Sequence, residues 1–149
     1  MPFDADLITA IAQQETGYIW AGLVQRGLAE NEVLRLCVGD TLDADNGRSC
    51  FPKNKAELLG ARRGSEMFAL ARQTLLDMAR YVNGYQSATI NPNKCCHGYG
   101  IFQYDIQFFL ENPDFFLQQS WEDFEACLAR LLDELKAAMA RQGWRNRAS

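Results

Sequence analysis

Glu15 is the first residue of the chain whose position invites chemistry, because it stands where an apolar helical run ends. At about 100° per residue it falls near the azimuth of Ile8 and Ile11, on the apolar side of LITAIAQQET. Carboxylates are rarely buried without a partner. Apolar surroundings and the negative end of a helix dipole both disfavour the ionised form. A carboxylic acid that keeps its proton is what glycoside hydrolysis needs to protonate a leaving oxygen. The competing reading is a glutamate at a helix end that simply reaches water.

The run HGYGIFQYD, from His97 to Asp105, is the second such feature. Gly98 and Gly100 frame an aromatic residue and let backbone approach closely. Tyr99 and Tyr104 offer rings that stack on sugar faces, while Gln103 and Asp105 offer groups that bond hydroxyls. A few polar groups between apolar walls is the usual make-up of a ligand pocket. The commoner use of such a segment is a glycine-rich turn leading into a core helix.

Taken together the two features resemble the lysozyme-like superfamily of goose-type lysozymes and lytic transglycosylases. ITAIAQQETG is similar to its (A/S)xxxxES helix end, and GYGIFQYD to its GxxGLMQ turn. The resemblance implies that Glu15 is the catalytic acid and that Gly100, Ile101, Phe102 and Gln103 line the cleft opposite it. Thr16 replaces the usual serine, Phe102 stands where methionine is typical, and the stretch between the motifs is longer than in transglycosylases. The resemblance also implies a second acid on a hairpin after the catalytic helix. Asp40, Asp43 and Asp45 lie in GDTLDADNG. If that segment is extended, Asp40 shares a face with Leu42 and Ala44, which makes Asp40 the preferred base or electrostatic stabiliser.

Weaker candidates surround these. Glu66 opens a helix, where a carboxylate is favoured by the dipole alone. Ser49 and Ser65 lack a GxSxG setting. Cys96 beside His97 is a sequence neighbour, whereas catalytic dyads are spatial. Arg48, Arg62 and Arg63 either bind substrate or solvate a face. Cys95, Cys96 and His97 offer too few ligands for structural zinc, and Asp43 to Asn54 has the wrong spacing for a calcium loop. Neither metal nor cofactor is expected.

Helices must position these groups. Asp4 is a good N-cap for a first helix expected to end at Glu15, with Gly17 just past it. A second helical stretch is expected over Trp20 to Leu36, interrupted in doubt by Gly27, with Leu23, Val33 and Leu34 inward. VGDTLDADNGRSCFP reads as turns and a small hairpin. A long helix follows from Ser65 to Val82, with Met67, Phe68, Ala71, Leu75, Met78, Ala79 and Val82 on one face. Residues 83–100 read as a long loop, followed by a short helix near Tyr104. Ser120 and Asp123 resemble a capping box before a last helix with Trp121, Phe124, Leu128, Leu131 and Leu135 inward. The tail RNRAS is expected to fray.

The bulk composition agrees with one domain over residues 1–149, and the resemblance implies a mainly α, lysozyme-like fold with a cleft and room for one small β-hairpin. The chain has 149 residues, 48% hydrophobic and 23% charged, the usual balance of a globular protein. A net charge of −4 argues against nucleic acid as partner and against long-range attraction to anionic membranes or anionic cell-wall polymers. No run is long enough to span a bilayer and MPFDADLITA does not read as a signal peptide, so the chain is expected to be intracellular or one domain of a longer exported protein. The five cysteines read as small core residues with at most a structural disulfide. The expected partner is a β-1,4-linked aminosugar polymer, most of all peptidoglycan. The alternatives are a lytic transglycosylase or chitosanase-like enzyme on the same fold, a binding module without turnover, and a purely helical interaction domain.

Overall fold

The structure, a computed structural model, describes residues 4–36, 38–42 and 48–148, with the side chains of residues 18, 40–42 and 143–148 outside that description. Helices hold most of the described residues, and three short strands form one antiparallel sheet in the order β1–β2–β3.

Helix α1 (Ala5–Gln25) starts as its sequence directs: the N–H of Leu7 donates to Asp4 Oδ1 at 2.7 Å. It does not stop at Glu15. Gly17 costs about 1 kcal/mol relative to alanine inside a helix. Burying Ile19 and Leu23, each worth about 1.5–3 kcal/mol, outweighs that, and both pack with Val33 and Leu36. The chain turns at Gly27, where φ is +74°. The stretch from Trp20 to Leu36 is therefore split between the end of α1 and α2 (Glu30–Arg35), with Leu23, Val33 and Leu34 inward as expected.

Strand β1 (Val38–Leu42) is extended as expected, and among the described residues it forms no local hairpin. It pairs with β2 (Cys95–Tyr99), in the register Val38↔Tyr99 and Gly39↔Gly98. β2 occupies the end of the segment read as loop. Its turn-rich composition holds only up to residue 94, and Cys95, Cys96 and Tyr99 are then buried in the main core with α4. The hairpin is instead β2–β3, with β3 at Tyr104–Asp105, joined by the Gly100–Gln103 turn. A 3-10 turn at Ile106–Phe108 replaces the helix expected at Tyr104.

Between the strands lie α3 (Lys55–Leu59) and α4 (Gly64–Ala79), the latter within a few residues of its expected bounds. Met67, Ala71, Leu75 and Met78 are fully buried along it. Arg72 donates to the carbonyls of Thr89, Asn91 and Lys94, fixing the loop that delivers β2. After α5 (Pro113–Leu117), a 3-10 turn at Ser120–Glu122 leads into α6 (Phe124–Ala148). No capping box forms across that turn. Asp123 caps α6 alone, accepting from the N–H of Ala126 at 3.3 Å. The helix continues to Ala148, into the tail expected to fray. Buried Trp121 ties α6 to α2, its Nε1–H donating to the Arg35 carbonyl at 2.9 Å. No disulfide forms among the described cysteines Cys50, Cys95, Cys96 and Cys127, and the last three are buried.

Candidate active site

Helix α1 and the glycine turn meet at one hydrogen bond. The Thr16 hydroxyl, fully buried, donates to the Ile101 carbonyl at 2.8 Å and lies 3.2 Å from the Ala12 carbonyl. Segments 85 residues apart are thus joined one residue from Glu15.

Glu15 itself is exposed, and its expected burial is not found. Residues three and four apart share a helix face. On that face Ile11 packs against the Ile8–Leu131 cluster with α6, and Ile19 packs with Leu23 near Tyr81 and Val82. Glu15 falls in the gap between the two clusters. The apolar stripe is real on both sides of it, but neither neighbour covers the carboxylate. Nor does a helix end aim its dipole there, because α1 runs on to Gln25.

The turn beside it is tightly built. Gly100 has φ +84°, and a Cβ there would stand 2.7 Å from Cys127 Sγ. Gln103 has φ +54°, a left-handed conformation that costs a non-glycine residue roughly 1–2 kcal/mol. Its N–H and its side-chain Nε2 both bond the Gly100 carbonyl, at 3.0 and 2.9 Å. The Gln103 side chain lies over the cross-strand pair Gly39 and Gly98. A Cβ on Gly98 would meet Gln103 Oε1 at 2.4 Å, and one on Gly39 would meet it at 2.9 Å with the Tyr85 hydroxyl 3.8 Å away. The two glycines therefore make room for the amide. Residues held in a strained backbone conformation by their surroundings cluster at functional sites.

Three residues expected to hold sugar do not reach a surface that could. Tyr99 is fully buried, its hydroxyl donating to the Cys96 carbonyl at 2.8 Å and its ring against Phe116 and Trp121. Tyr104 stacks between Phe108 and Phe116, and its hydroxyl accepts from Asn112. Both are core, because β2 and β3 turn these rings inward. Asp105 accepts from both guanidinium nitrogens of Arg48, at 3.1 and 2.8 Å, from His97 Nδ1 at 2.8 Å and from the Gln107 N–H. Burial alone would raise its carboxyl, but hydrogen bonds from His97, Arg48 and Gln107 outweigh this and hold it at about 2. An ionised carboxylate only accepts, so the His97 proton sits on Nδ1. Arg48 also donates to the carbonyls of Phe51 and Pro52. The cluster latches the segment after β1 to the hairpin and leaves Asp105 no capacity for ligand.

The remaining candidates separate cleanly. Glu66 is exposed and paired with Arg63 at 3.1 Å. The Cys96 thiol is buried, and burial pushes neighbouring Cys95 up to about 12, so Cys95 presents no thiolate. Among the described residues no three metal-ligating side chains converge, and no helix is long and apolar enough to cross a membrane. Asp40 sits in the middle of β1 between Gly39 and Thr41, with its side chain outside the described set. Asp43 and Asp45 lie outside the described residues.

Two grooves flank α1. The larger, about 640 Å³, is walled by Trp20, Ile101, Phe102 and Phe124, and among the described residues no carboxylate lines it. The other, about 520 Å³, runs between the C-terminal end of α1 and residues 81–83, and is lined by Ile19, Gln25, Arg26, Tyr81 and Asn83 among others. Ile19 is one helical turn beyond Glu15, so this second groove continues the face that carries the acid. In the sequence Gln25, Tyr81 and Asn83 read only as helix and loop residues, because their partnership depends on how α1 packs beside the segment that follows α4. No family model, curated protein or solved structure matches the chain.

Proposed function

We propose that the protein is a glycoside hydrolase of lysozyme-like architecture, acting on a β-1,4-linked aminosugar polymer, most of all peptidoglycan, with Glu15 as general acid. The bond between Thr16 and the Ile101 carbonyl carries this reading. It brings together the two segments on which the resemblance rests, and it uses the one hydroxyl that the serine-to-threonine difference retains.

The exposure of Glu15 fits an acid whose surroundings are completed by its substrate. A sugar ring laid over the gap between the Ile11 and Ile19 clusters excludes water from the carboxyl. Dry surroundings favour the protonated form and prepare transfer of its proton to the glycosidic oxygen. Gln103, held over the sheet glycines, is the amide assigned to bond the glycan.

The test is turnover of cell-wall sacculi by the full chain and by Glu15→Gln. The swap is nearly isosteric and removes only the transferable proton. Turnover should fall by about 10²–10⁴-fold with the circular-dichroism melt unchanged. Unaltered turnover in that variant, or none in the wild type on any aminosugar polymer, would refute the assignment.

A further inference from the structure

We infer that the groove between the C-terminal end of α1 and residues 81–83 is a sugar subsite that selects carboxylate-bearing units, with Arg26 as its cation. The inference rests on the glycan-hydrolase reading and narrows its substrate to an acidic glycan.

The groove lies on the Glu15 face of α1, and its volume of about 520 Å³ falls within the 300–1,000 Å³ usual for ligand sites. Tyr81 supplies a ring at its wall, partly buried against the Ile19–Leu23 cluster. Gln25 and Asn83 supply amides of the kind that bond hydroxyl and acetamido groups. Among the described residues Arg26 is the charged residue of the lining, with no carboxylate beside it. Its guanidinium is exposed, and the planar fork of donors matches a carboxylate in two bonds.

Position along the helix fits one continuous strand. Arg26 follows Glu15 by eleven residues, about 16 Å along the axis at 1.5 Å per residue. A glycan whose scissile bond lies at Glu15 reaches Arg26 a few rings further on. Charge then sorts the polymers. The whole chain is acidic at −4 and would draw a polycationic glycan from a distance. Within the groove the sign is reversed, so a deacetylated, ammonium-bearing polymer meets repulsion and a carboxylate meets its counter-ion.

The experiment measures calorimetric binding to the full chain carrying Glu15→Gln, which stops turnover during titration. The probes are a neutral N-acetylated chito-oligomer, its deacetylated counterpart, and a peptide-stripped peptidoglycan strand bearing lactyl carboxylates. Each is repeated with Arg26→Gln and Arg26→Lys added, and melts confirm the fold. The acidic strand should bind tightest. Arg26→Gln should weaken it about fivefold, the scale of an exposed ion pair, leave the neutral oligomer unchanged and relieve the penalty on the cationic one. Arg26→Lys should restore part of the loss. Equal weakening of all three probes, or of none, overturns the subsite while leaving the glycan-hydrolase reading in place. Absence of binding to every probe overturns both.

Discussion

Thr16, itself buried, donates its hydroxyl to the carbonyl of Ile101, and this bond fixes where the Glu15-bearing turn of α1 sits against the hairpin turn. Thr16→Val keeps the shape and removes the donor, leaving the Ile101 carbonyl without it. A buried acceptor left unsatisfied costs about 1–3 kcal/mol. Urea melts of Thr16→Val should show that loss, and glycan turnover should fall further than stability because Glu15 is displaced. Thr16→Ser, which keeps the hydroxyl, should restore turnover. Equal turnover in the valine and serine variants would separate the contact from the site.

The glycine pair under Gln103 gives a second expectation. In Gly98→Ala the new Cβ would lie 2.4 Å from Gln103 Oε1 and 3.1 Å from its Cδ. The amide must leave its place over the sheet or the strands must part. Overpacking of this kind costs about 1–3 kcal/mol. Gly98→Ala should therefore lose glycan affinity even where it still melts cooperatively, and Gly98→Ala with Gln103→Ala should regain stability but not affinity. Were the double variant no more stable than Gly98→Ala, the crowding would lie elsewhere.

How far the sequence reaches is visible in these same residues. The apolar stripe of α1, the face of α4, the Asp4 cap and the inward Leu23, Val33 and Leu34 are local patterns, and each is formed by residues within a few turns of one another. The end of α1 misleads because Gly17 is a weak breaker, and what overrides it is burial against α2. β2 is hidden because its pairing with β1 crosses more than fifty residues, and its own Gly, His and Cys content looks like loop. Tyr99 and Tyr104 have the residue types of a sugar platform, and only the hairpin register shows that both rings face the core. Arg48 is one arginine among several until Asp105 and His97 arrive beside it.

That latch responds to acid. Asp105 titrates at about 2 in the folded chain, below the roughly 3.9 of an unfolded aspartate. Because the folded value is the lower one, the stabilisation is fully present above about pH 4 and is lost as pH falls towards 2. Its size is on the order of 2 kcal/mol. The melting temperature of the wild type should drop across that window. Asp105→Asn should be less stable at neutral pH and flatter below pH 4. A variant with the wild-type acid profile would place the titration on another carboxylate.

The order of thiol reactivity should follow burial. Of the described cysteines only Cys50 is partly exposed, while Cys95 and Cys127 are buried and pushed up to about 12 and about 11 by that burial. Thiolate, not thiol, is the nucleophile. Iodoacetamide at neutral pH should label Cys50 in the native protein and reach Cys95, Cys96 and Cys127 only on denaturation. Peptide mapping reads the order directly, and native labelling of Cys96 would show that the sheet opens beside the site.

The last expectation concerns mechanism and turns on Asp40. A single acid suffices for a lytic transglycosylase, because the sugar's own hydroxyl closes an anhydro ring. A hydrolase calls for a second carboxylate, as nucleophile or as base for water. β1 follows α2 directly and carries Asp40 next to Gly39, the residue over which Gln103 lies, so the strand that bears this aspartate borders the same turn that Thr16 grips. The expectation is hydrolysis with a reducing-end product, and Asp40→Asn should lower turnover by about 10²–10⁴-fold while leaving glycan affinity in place. The stereochemistry reports the spacing of the pair: about 5–5.5 Å gives retention and about 6.5–9.5 Å inversion, and proton NMR of the first product distinguishes them. Mass spectrometry decides the class of reaction. Anhydro-sugar ends, with full turnover surviving Asp40→Asn, would make the enzyme a transglycosylase that works with Glu15 alone.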